Sequence, residues 1–385
     1  MRDAVIIDAV RTPIAKGKPG GALHGEHPGT LLARTLTALV ERTGIDPALV
    51  DDVIGGIVTQ AGDQAANLTR TAVLAAGFPE TVPATTVDRQ CGSSQQAVHI
   101  AAQGVQSGAY DIAIACGVES MSRAPMGTAV LPGTNPFAPL RDRYPDGLVG
   151  QGISAELIAS RWKIDRQELD AYAAESHRRA ATAYANGEFD RELAWKAPDE
   201  TVRPATTPEI LAGLKPAYHD PSMAERFPEI GWRITAGNAS PLNDGAAAVL
   251  IMGADTAERL GLRPRARFRA FAVVGDDPLL MLTAIVPATT KVLAKAGLDL
   301  PDIDLFEVNE AFASVVLAWQ RETGADPARV NVRGGAIAIG HPLGASGARL
   351  MTTLLHAMED RGARYGLQTM CEAGGLANAT IIERP

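Results

Sequence analysis

The stretch "TTKVLAKAGLDLPDIDLFEVNEAFAS" (residues 289–314) has the same order of features as "RTLTALVERTGIDPALVDDVIGGIVTQAG" (residues 34–62). Each begins with a helical pattern of apolar residues, continues through a short acidic linker and ends in a strand pattern. A second pair agrees, because "YDIAIAC" (110–116) and "YGLQTMC" (365–371) each place a Cys six residues after a Tyr, at the end of a strand pattern. These alternations predict an α/β fold with a largely parallel sheet, built from two similar halves by internal duplication.

The segment between the two halves has a different composition. Residues 119–242 contain many Pro and Gly residues, one charged helical pattern at 164–187 and long stretches without a strand pattern. A segment of this length without strands is typical of a functional loop domain or a linker, and the helical patterns favour the loop domain. The predicted organisation is a first half at 1–118 plus 243–265, an inserted loop domain at 119–242, and a second half at 266–385.

Composition narrows the class of protein. The chain has 385 residues and a formal net charge of −8, without a basic run or interleaved basic and aromatic residues, so nucleic acid is not an expected partner. No apolar run is long enough for a membrane span, and the first residues read as a strand rather than a secretion signal. Three cysteines without the spacing of a disulfide framework favour a reducing, cytoplasmic location. No cysteine or histidine spacing predicts a metal site.

The stretch "DRQCGSSQQAV" (residues 88–98) places Cys91 in a polar, glycine-containing corner directly before a helical pattern. Unpaired backbone N–H groups and the positive end of the helix dipole lower the pKa of a thiol at such a position and favour the nucleophilic thiolate. The alternative, which this stretch alone leaves equally open, is a small apolar residue that fills a turn. Cys116 lies inside an apolar strand pattern and is expected to be structural.

The second half contains further groups suited to catalysis. "NVRGGAIAIGHPLGASGARL" (331–350) is a glycine-rich loop with one histidine, His341, and it lacks the spacing of a P-loop or a dinucleotide-binding turn. One apolar strand pattern ends on Asn309, and another ends on Cys371 before glycines. A thiol beside a histidine that accepts its proton is the minimal unit of thiol nucleophilic catalysis. The residues alone therefore indicate a thiol acyl-transfer enzyme of open substrate, although a single loop histidine is more often structural.

With these motifs the chain resembles the thiolase family, the acetyl-CoA acetyltransferases and 3-ketoacyl-CoA thiolases, over essentially its whole length. The resemblance implies a duplicated α/β sandwich with an inserted loop domain, and a homodimer or homotetramer. It also implies reversible thiolytic cleavage of 3-ketoacyl-CoA by CoA in fatty acid β-oxidation, or the reverse Claisen condensation. CoA is then a substrate, no cofactor or metal is needed, and a β-oxidation partner subunit also fits. The motifs that carry the resemblance are "DAVRTPIAKG" (8–17), "CGSSQQA" (91–97), "ACGVESMSRAPMG" (115–127), "TAGNASPLNDGAAA" (235–248), "VNEAFA" (308–313) and "GGAIAIGHPLGASGAR" (334–349).

The resemblance assigns roles to individual residues. Cys91 would attack the 3-keto carbon and hold the acyl group as a thioester, while His341 would take its proton. Cys371 would protonate the departing acetyl-CoA carbanion and then deprotonate the incoming CoA thiol. Negative charge that develops on oxygen would be met by His341 with a water held by Asn309, and elsewhere by the backbone N–H groups of Cys91 and Ala373. The implied CoA contacts are Arg203 at the adenine, Ser240 at the pantetheine arm, and Ala311 and Phe312 along the cleft.

The chain departs from the family pattern near the implied site. Ala373 replaces a glycine of the usual Cys-x-Gly-Gly-Gly motif, and a left-handed backbone there would cost roughly 1 kcal/mol. Gly150 and Gly152 stand where acetoacetyl-CoA-specific members often carry a His-Met-Gly stretch, and the loop at 219–234 is longer than usual. These differences favour the degradative branch, which accepts broader substrates.

The same departures predict a substrate range. Glycines at 150 and 152 would leave room in the acyl pocket, and the longer loop would add apolar wall through Phe227, Ile230 and Trp232. We therefore expect a medium-length or bulkier 3-ketoacyl-CoA to be preferred over acetoacetyl-CoA. The competing interpretation is that the longer loop packs at an interface between subunits.

Two other functions share the fold and stay open at this stage. A β-ketoacyl synthase-like condensing enzyme also uses a Cys nucleophile, but it carries a second His or Asn where this chain has Cys371 and usually takes its substrate from an acyl carrier protein. A thiolase-like protein that binds acyl-CoA without turnover would have no need to retain all four proposed catalytic side chains. An assay for release of acetyl-CoA from a 3-ketoacyl-CoA and CoA would distinguish the thiolase from these two other functions.

Overall fold

The computed structural model describes residues 2–385 as alternating strands and helices, joined by loops and short 3₁₀ turns. The predicted strands and helices of both halves are present, because buried apolar runs form the strands and amphipathic patterns form the helices. The strands are β1 Ala4–Arg11, β2 Ala15–Lys16, β3 Asp52–Gly56, β4 Ala84–Val87, β5 Ile112–Ser120, β6 Asn243–Gly253, β7 Ala266–Gly275, β8 Leu305–Val308, β9 Tyr365–Glu372 and β10 Leu376–Glu383. The helices are α1 Pro28–Thr43, α2 Leu68–Ala75, α3 Ser93–Ser107, α4 Gln151–Arg161, α5 Arg166–Ala185, α6 Pro208–Ala212, α7 Pro221–Arg226, α8 Ala254–Arg259, α9 Ile285–Ala296, α10 Ala313–Thr323 and α11 Ser346–Arg361.

The strands form a 10-stranded sheet in the order β4-β3-β5-β6-β1-β7-β10-β9-β8, with the short β2 beside β6. In the order β3-β5-β6-β1, the β3–β5 pair is parallel, and the β5–β6 and β6–β1 pairs are antiparallel. The order β8-β9-β10-β7 repeats these directions strand for strand. The two sets meet where β1 pairs with β7 through Val5 and Ile6 alone. This repetition confirms the predicted duplication.

The expectation of a largely parallel sheet is wrong. Among the strands described, the β3–β4, β3–β5 and β8–β9 pairs are parallel, and the remaining pairs are antiparallel. β10 begins shortly after β9 ends, and such a short connection joins only antiparallel strands. β6 pairs antiparallel with both β5 and β1 after the long insertion, an arrangement that the alternation of helices and strands does not reveal.

Helices α3 and α11 form a layer between the two halves. Their apolar side chains, such as Val98 and Met351, share one buried cluster with strand residues of both halves, such as Val249 and Leu305. Helices α1 and α2 pack against the opposite face of the first half, and α9 and α10 against that of the second. The N-termini of α3 and α11 therefore meet in the interior, where the Ala348 backbone N–H donates to Ser94 Oγ at 2.9 Å.

The chain between β5 and β6 carries α4 to α7 and long irregular stretches. α4 and α5 pack against α10 of the second half. Residues 126–151 of the same segment line a cavity beside the turn that precedes α3. Its predicted boundaries at 119 and 242 fall at the end of β5 and the start of β6, and they stay a prediction. No helix within residues 2–385 has both the length and the apolar character needed to cross a membrane.

Candidate active site

Cys91 lies in a tight turn between β4 and α3. Gln90 has a positive φ of 49°, a conformation that costs energy for a residue with a side chain. Neighbouring side chains hold this turn, because Asp88 Oδ1 accepts the Gln90 backbone N–H at 2.7 Å and Ser93 Oγ donates to the Gln90 carbonyl at 2.6 Å. Cys91 is 7% exposed and lines a cavity that opens to the surface.

His341 ends the glycine-rich loop that precedes α11. Gly340 has a φ of 120°, and a Cβ there would lie 2.7 Å from the Asn243 side chain, so the position requires glycine. The His341 backbone N–H donates to Asn243 Oδ1 at 2.8 Å. His341 Nδ1 is 2.6 Å from Ser346 Oγ, which itself donates to the Pro342 carbonyl at 2.9 Å. Ser346 therefore accepts a hydrogen bond from Nδ1–H, and Nε2 is left without a proton and able to act as a base.

Asn309 follows β8 and faces the imidazole. Its Nδ2 is 3.4 Å from His341 Nε2, at the long end of the range for a hydrogen bond. Its Oδ1 is buried and has no hydrogen-bond partner among residues 2–385. Buried amide oxygens are normally paired with protein or water. Asn309 thus has one free acceptor beside His341. A residue that binds a water at this position would need such an acceptor.

Glu119 joins the Cys91 side of the site to the His341 loop. Its two carboxylate oxygens accept backbone N–H groups from Val58 and Thr59, each at 3.0 Å, and from Gly344 at 2.8 Å. Gln64 Nε2 donates to the same carboxylate at 2.8 Å. Because all four donors are matched, this buried carboxylate is well satisfied and fixes the two loops relative to each other.

Glu310 makes a corresponding connection from the other side. Its carboxylate accepts the hydroxyls of Tyr172 at 2.9 Å and Ser176 at 2.7 Å, both on α5. It also accepts the backbone N–H of Ile337 at 3.0 Å, in the loop that leads to His341. The inserted segment is thereby tied to both the Asn309 loop and the His341 loop through one side chain.

Cys371 is the residue before the last of β9. Met370, the residue before it, packs in one buried cluster with Cys91. Burial raises the pKa of the Cys371 thiol, and negative charge on Cys91 acts in the same direction. The left-handed residues of the following turn are Gly374, with φ 87°, and Gly375, with φ 78°. Ala373 is not left-handed, so the backbone cost considered for its methyl group does not arise.

Burial decides the protonation of the two central groups. It raises the pKa of the Cys91 thiol to about 12, and the charge of Glu372 adds to this rise. It lowers the pKa of His341 to about 3, and the positive charge of Arg349 acts in the same direction. The expected lowering of the thiol pKa by the helix dipole is therefore wrong, because removal from water outweighs the dipole. The resting pair is a neutral thiol and a neutral imidazole.

Cys91 borders a cavity of about 890 Å³. Leu343, Ala373 and Met281 also line this cavity. Much of the remaining wall comes from residues 126–151 of the inserted segment. A cavity of this size is in the range of sites that enclose small organic ligands.

The amino-acid sequence matches the family model described as thiolase, N-terminal domain, over residues 4–255, and the one described as thiolase, C-terminal domain, over residues 262–384. The chain belongs to the thiolase family. It is 48% identical to the steroid 3-ketoacyl-CoA thiolase FadA6 of Mycobacterium tuberculosis, covering 100% of this chain and 95% of that protein. It is 40% identical to the 3-ketoacyl-CoA thiolase of Bacillus subtilis, covering 100% of both. The crystal structure of the Bacillus anthracis acetyl-CoA acetyltransferase matches the fold with a TM-score of 0.89 at 37% identity, covering 100% of this chain and 99% of that one. Like these relatives, this thiolase is an acyltransferase.

The residues predicted to contact CoA in this thiolase lie apart from the cavity at Cys91. Ser240 and Ala311 are neighbours, since the Ser240 backbone N–H donates to the Ala311 carbonyl at 3.0 Å. Phe312 follows and is buried. Arg203 lines a second cavity of about 330 Å³ together with Leu242, close to Ser240 in the chain. The structure thus groups Ser240, Ala311 and Phe312, and it places Arg203 at a separate cavity that Leu242 also lines.

The two glycines expected to enlarge the acyl pocket differ in their surroundings. A Cβ at Gly150, which lines the large cavity, would meet nothing within 4 Å. A Cβ at Gly152 would lie 2.2 Å from the ring of Tyr218. The predicted open space is present at Gly150. The prediction is wrong for Gly152, because Tyr218 fills the space beside it.

The expectation that Phe227, Ile230 and Trp232 line the acyl pocket is wrong. These side chains pack in a cluster with Val149 and Ile153, and none of them borders the cavity at Cys91. Val149 belongs to both the cluster and the cavity wall, so the longer loop supports the wall from behind.

Four buried polar residues that support the site are not among the residues predicted for it. Ser346, Glu119 and Glu310 lie inside or directly beside motifs that carry the family resemblance, and Glu372 follows Cys371. The available signal was a hydroxyl or carboxylate within an otherwise apolar or glycine-rich stretch, because such groups are buried only when they have a partner or a task.

Proposed function

We propose that this thiolase cleaves a 3-ketoacyl-CoA with CoA, reversibly, through an acyl-enzyme on Cys91. The observation that supports the proposal best is the meeting of two helix N-termini, with Cys91 before α3 and His341 before α11. The Cys371 thiol stands at the adjacent end of β9. Cys91 lines the cavity, and so do Leu343 and Ala373, which lie two positions after His341 and Cys371. A nucleophile, a base and a second thiol are the groups that thiolysis needs. Full-length relatives named 3-ketoacyl-CoA thiolase support the same reaction.

The first half-reaction forms the acyl-enzyme. The Cys91 sulfur bonds to the 3-keto carbon while its proton passes to His341 Nε2, and the keto oxygen becomes an oxyanion. When the oxyanion collapses, the bond between C2 and C3 breaks and its electron pair goes to C2. The Cys371 thiol donates its proton to that carbon, so acetyl-CoA leaves and the shortened acyl group remains on Cys91 as a thioester.

The second half-reaction transfers the acyl group to CoA. The Cys371 thiolate takes the proton of the CoA thiol, and the CoA sulfur attacks the thioester carbonyl. Collapse of the tetrahedral intermediate expels the Cys91 sulfur, which regains its proton from His341. Protonated His341 with Asn309 stabilises one oxyanion, and the backbone N–H groups of Cys91 and Ala373 stabilise the other.

The preferred substrate carries a medium-length or bulky acyl group rather than acetoacetyl. The size of the cavity at Cys91, the open space at Gly150 and the apolar residues of the inserted segment support this preference, as does the name of the steroid 3-ketoacyl-CoA thiolase relative. Each methylene buried in the pocket improves transition-state binding by up to about 0.8 kcal/mol.

Release of acetyl-CoA from a series of 3-ketoacyl-CoAs and free CoA tests both parts of the proposal. The series runs through chains of four, six, eight and ten carbons and a steroid side-chain substrate, with kcat/KM measured for each. We expect kcat/KM to rise beyond four carbons and Cys91→Ala to abolish acetyl-CoA release. No acetyl-CoA from any substrate would contradict the reaction, and a maximum at four carbons would contradict the substrate range.

The proposed small-molecule partners are acyl-CoA and CoA, with CoA as a substrate and no cofactor. A cytoplasmic location, a homodimer or homotetramer, and a β-oxidation partner subunit stay predictions from the sequence. Light scattering on the purified chain, alone and with CoA, measures the oligomeric state directly.

A further inference from the structure

A buried carboxyl group beside both thiols has no part in the mechanism above. Glu372 is 0% exposed and follows Cys371 at the end of β9. Its side chain reaches the N-terminus of α3, where a Cβ built on Gly92 would lie 1.8 Å from Glu372 Oε1. Gly92 is the N-cap residue of α3 and offers no side-chain cap. The carboxyl of Glu372 therefore fills the space that a side chain at Gly92 would occupy, next to Cys91 in the chain.

The carboxyl is only partly satisfied by hydrogen bonds. Its Oε2 is buried without a partner among residues 2–385. The side-chain amide of Asn378, with its nitrogen turned towards Glu372, donates to Oε1 at 3.2 Å and accepts the Gln96 backbone N–H at 3.3 Å. The charged and titratable groups that face Glu372 are Asp88 and Arg89 from the turn before α3, and the thiols of Cys91 and Cys371.

The electrostatics of this arrangement couple Glu372 to the nucleophile. Burial raises the pKa of Glu372 to about 8, Arg89 opposes the rise and Asp88 adds to it. After burial, the negative charge of Glu372 is the largest cause that raises the pKa of Cys91. The positive end of a helix dipole favours one negative charge near its first turn, and a second anion in the same dry region is repelled by the first.

We propose that Glu372 is a positioning residue that acts through Cys91, because its carboxyl and the Cys91 thiol compete for the N-terminus of α3. The inference rests on the proposed function, in which Cys91 is the nucleophile. Cys91 is mainly a thiol in both states, but its thiolate forms more easily while Glu372 is neutral and less easily once Glu372 is ionised. The two groups then titrate as a coupled pair rather than independently.

The pH dependence of Cys91 alkylation tests this coupling without requiring turnover. Iodoacetamide labelling of Cys91, followed by peptide mapping from pH 6 to pH 11, reports the thiolate fraction. In the wild-type protein the labelling rate should rise with pH, level off near pH 8 as Glu372 ionises, and rise again at higher pH. Glu372→Gln removes the ionisation and should give one continuous rise. The variant should match wild type below pH 7 and be roughly tenfold faster near pH 10, a difference of about one pKa unit.

Glu383→Gln is a matched control, since Glu383 is a buried carboxylate at the far end of β10 and does not face either thiol. It should keep the wild-type profile. A wild-type profile without a plateau would overturn the proposal, and so would a Glu372→Gln profile parallel to wild type at every pH. If Glu372→Gln does not fold, as judged by circular dichroism, the wild-type profile decides alone. Thiolysis measured on the same samples keeps the outcomes apart, because an inactive protein with the plateau would overturn the proposed function and not the coupling.

Discussion

Cys91 and His341 reach their working states only when substrate binds, because burial keeps both neutral at rest. A proton that passes from the thiol to Nε2 creates two charges at once in a dry cavity. That ion pair becomes favourable when a carbonyl carbon accepts the sulfur and the developing oxyanion faces the protonated imidazole. At the scale of single residues, the donors around the carbonyl therefore matter as much as the thiol.

Replacement of Cys371 by Ser distinguishes the role of Cys371 from that of Cys91. Cys371→Ser leaves Cys91 and His341 in place, so acyl-enzyme formation from an acyl-CoA should persist. Overall thiolysis should fall by a factor of roughly 10² or more, the usual contribution of a general acid or base. Acetyl-CoA release and burst-phase acylation measure the two steps separately. A near wild-type thiolysis rate in this variant would show that Cys371 does not carry the proton.

Ser346 holds the imidazole in one tautomer by accepting the Nδ1 proton. Ser346→Ala removes this acceptor, so kcat should fall roughly tenfold, the value of one buried hydrogen bond. Ser314→Ala is the control, because Ser314 Oγ is buried without a partner among the described residues. It should leave kcat within about twofold of wild type. Equal effects of the two substitutions would remove Ser346 from the account.

The sequence predicted the place of Cys91 at a helix start, because a polar, glycine-containing corner before a helical pattern is a local signal. It did not predict the direction of the thiol pKa. Burial and the charge of Glu372 decide that direction, and they come from strands distant in the chain. Effects of this kind depend on packing between elements, which local patterns do not encode.

At the scale of elements, α3 and α11 approach each other so closely that glycines are required at the contact. A Cβ on Gly347 of α11 would lie 2.1 Å from the Gln95 backbone nitrogen of α3. A Cβ on Gly56 of β3 would lie 2.2 Å from the Ser94 backbone nitrogen. The first contact limits the distance between the loop of Cys91 and the loop of His341, and the second fixes α3 on the sheet.

Gly347→Ala should therefore push α11 away from α3. The added methyl meets backbone rather than a flexible side chain, so the free energy of unfolding should fall by about 1–3 kcal/mol and thiolysis should fall with it. Urea unfolding measures the first effect. Gly25→Ala is the control, because Gly25 has nothing within 4 Å of its Cβ position, and it should change stability by less than about 0.5 kcal/mol. Equal stability of both variants would contradict the close-packing argument.

Elements were predictable where periodicity was strong, as in α1, α3 and α5, and in strands β1 and β5. The direction of strand pairing was not. β6 pairs with β5 and β1 across the insertion, and nothing in the residues of β6 indicates its neighbours or their direction. Periodicity reports which face of an element is buried and is silent about pairing partners.

At the scale of the whole molecule, the duplication explains why the site lies where it does. In the first half, β3, α2 and β4 lead to the Cys91 turn, α3 and β5. In the second half, β8, α10 and a parallel bridge between Phe306 and Val330 lead to the His341 loop, α11 and β9. Cys91 and His341 thus occupy equivalent loops, just as Cys116 and Cys371 lie on equivalent strands. Duplication placed two helix N-termini face to face, and different residues in the two copies supply the nucleophile and the base.

The mass of the protein trapped with its acyl group tests the role of Cys91 most directly. Incubation with octanoyl-CoA, followed by rapid acid quench and peptide mapping, identifies the acylated residue. We expect an octanoyl thioester on Cys91 that added CoA removes at a rate at least equal to kcat. An octanoyl group on Cys371 or Cys116 instead, or an adduct on Cys91 that CoA does not remove, would contradict this expectation.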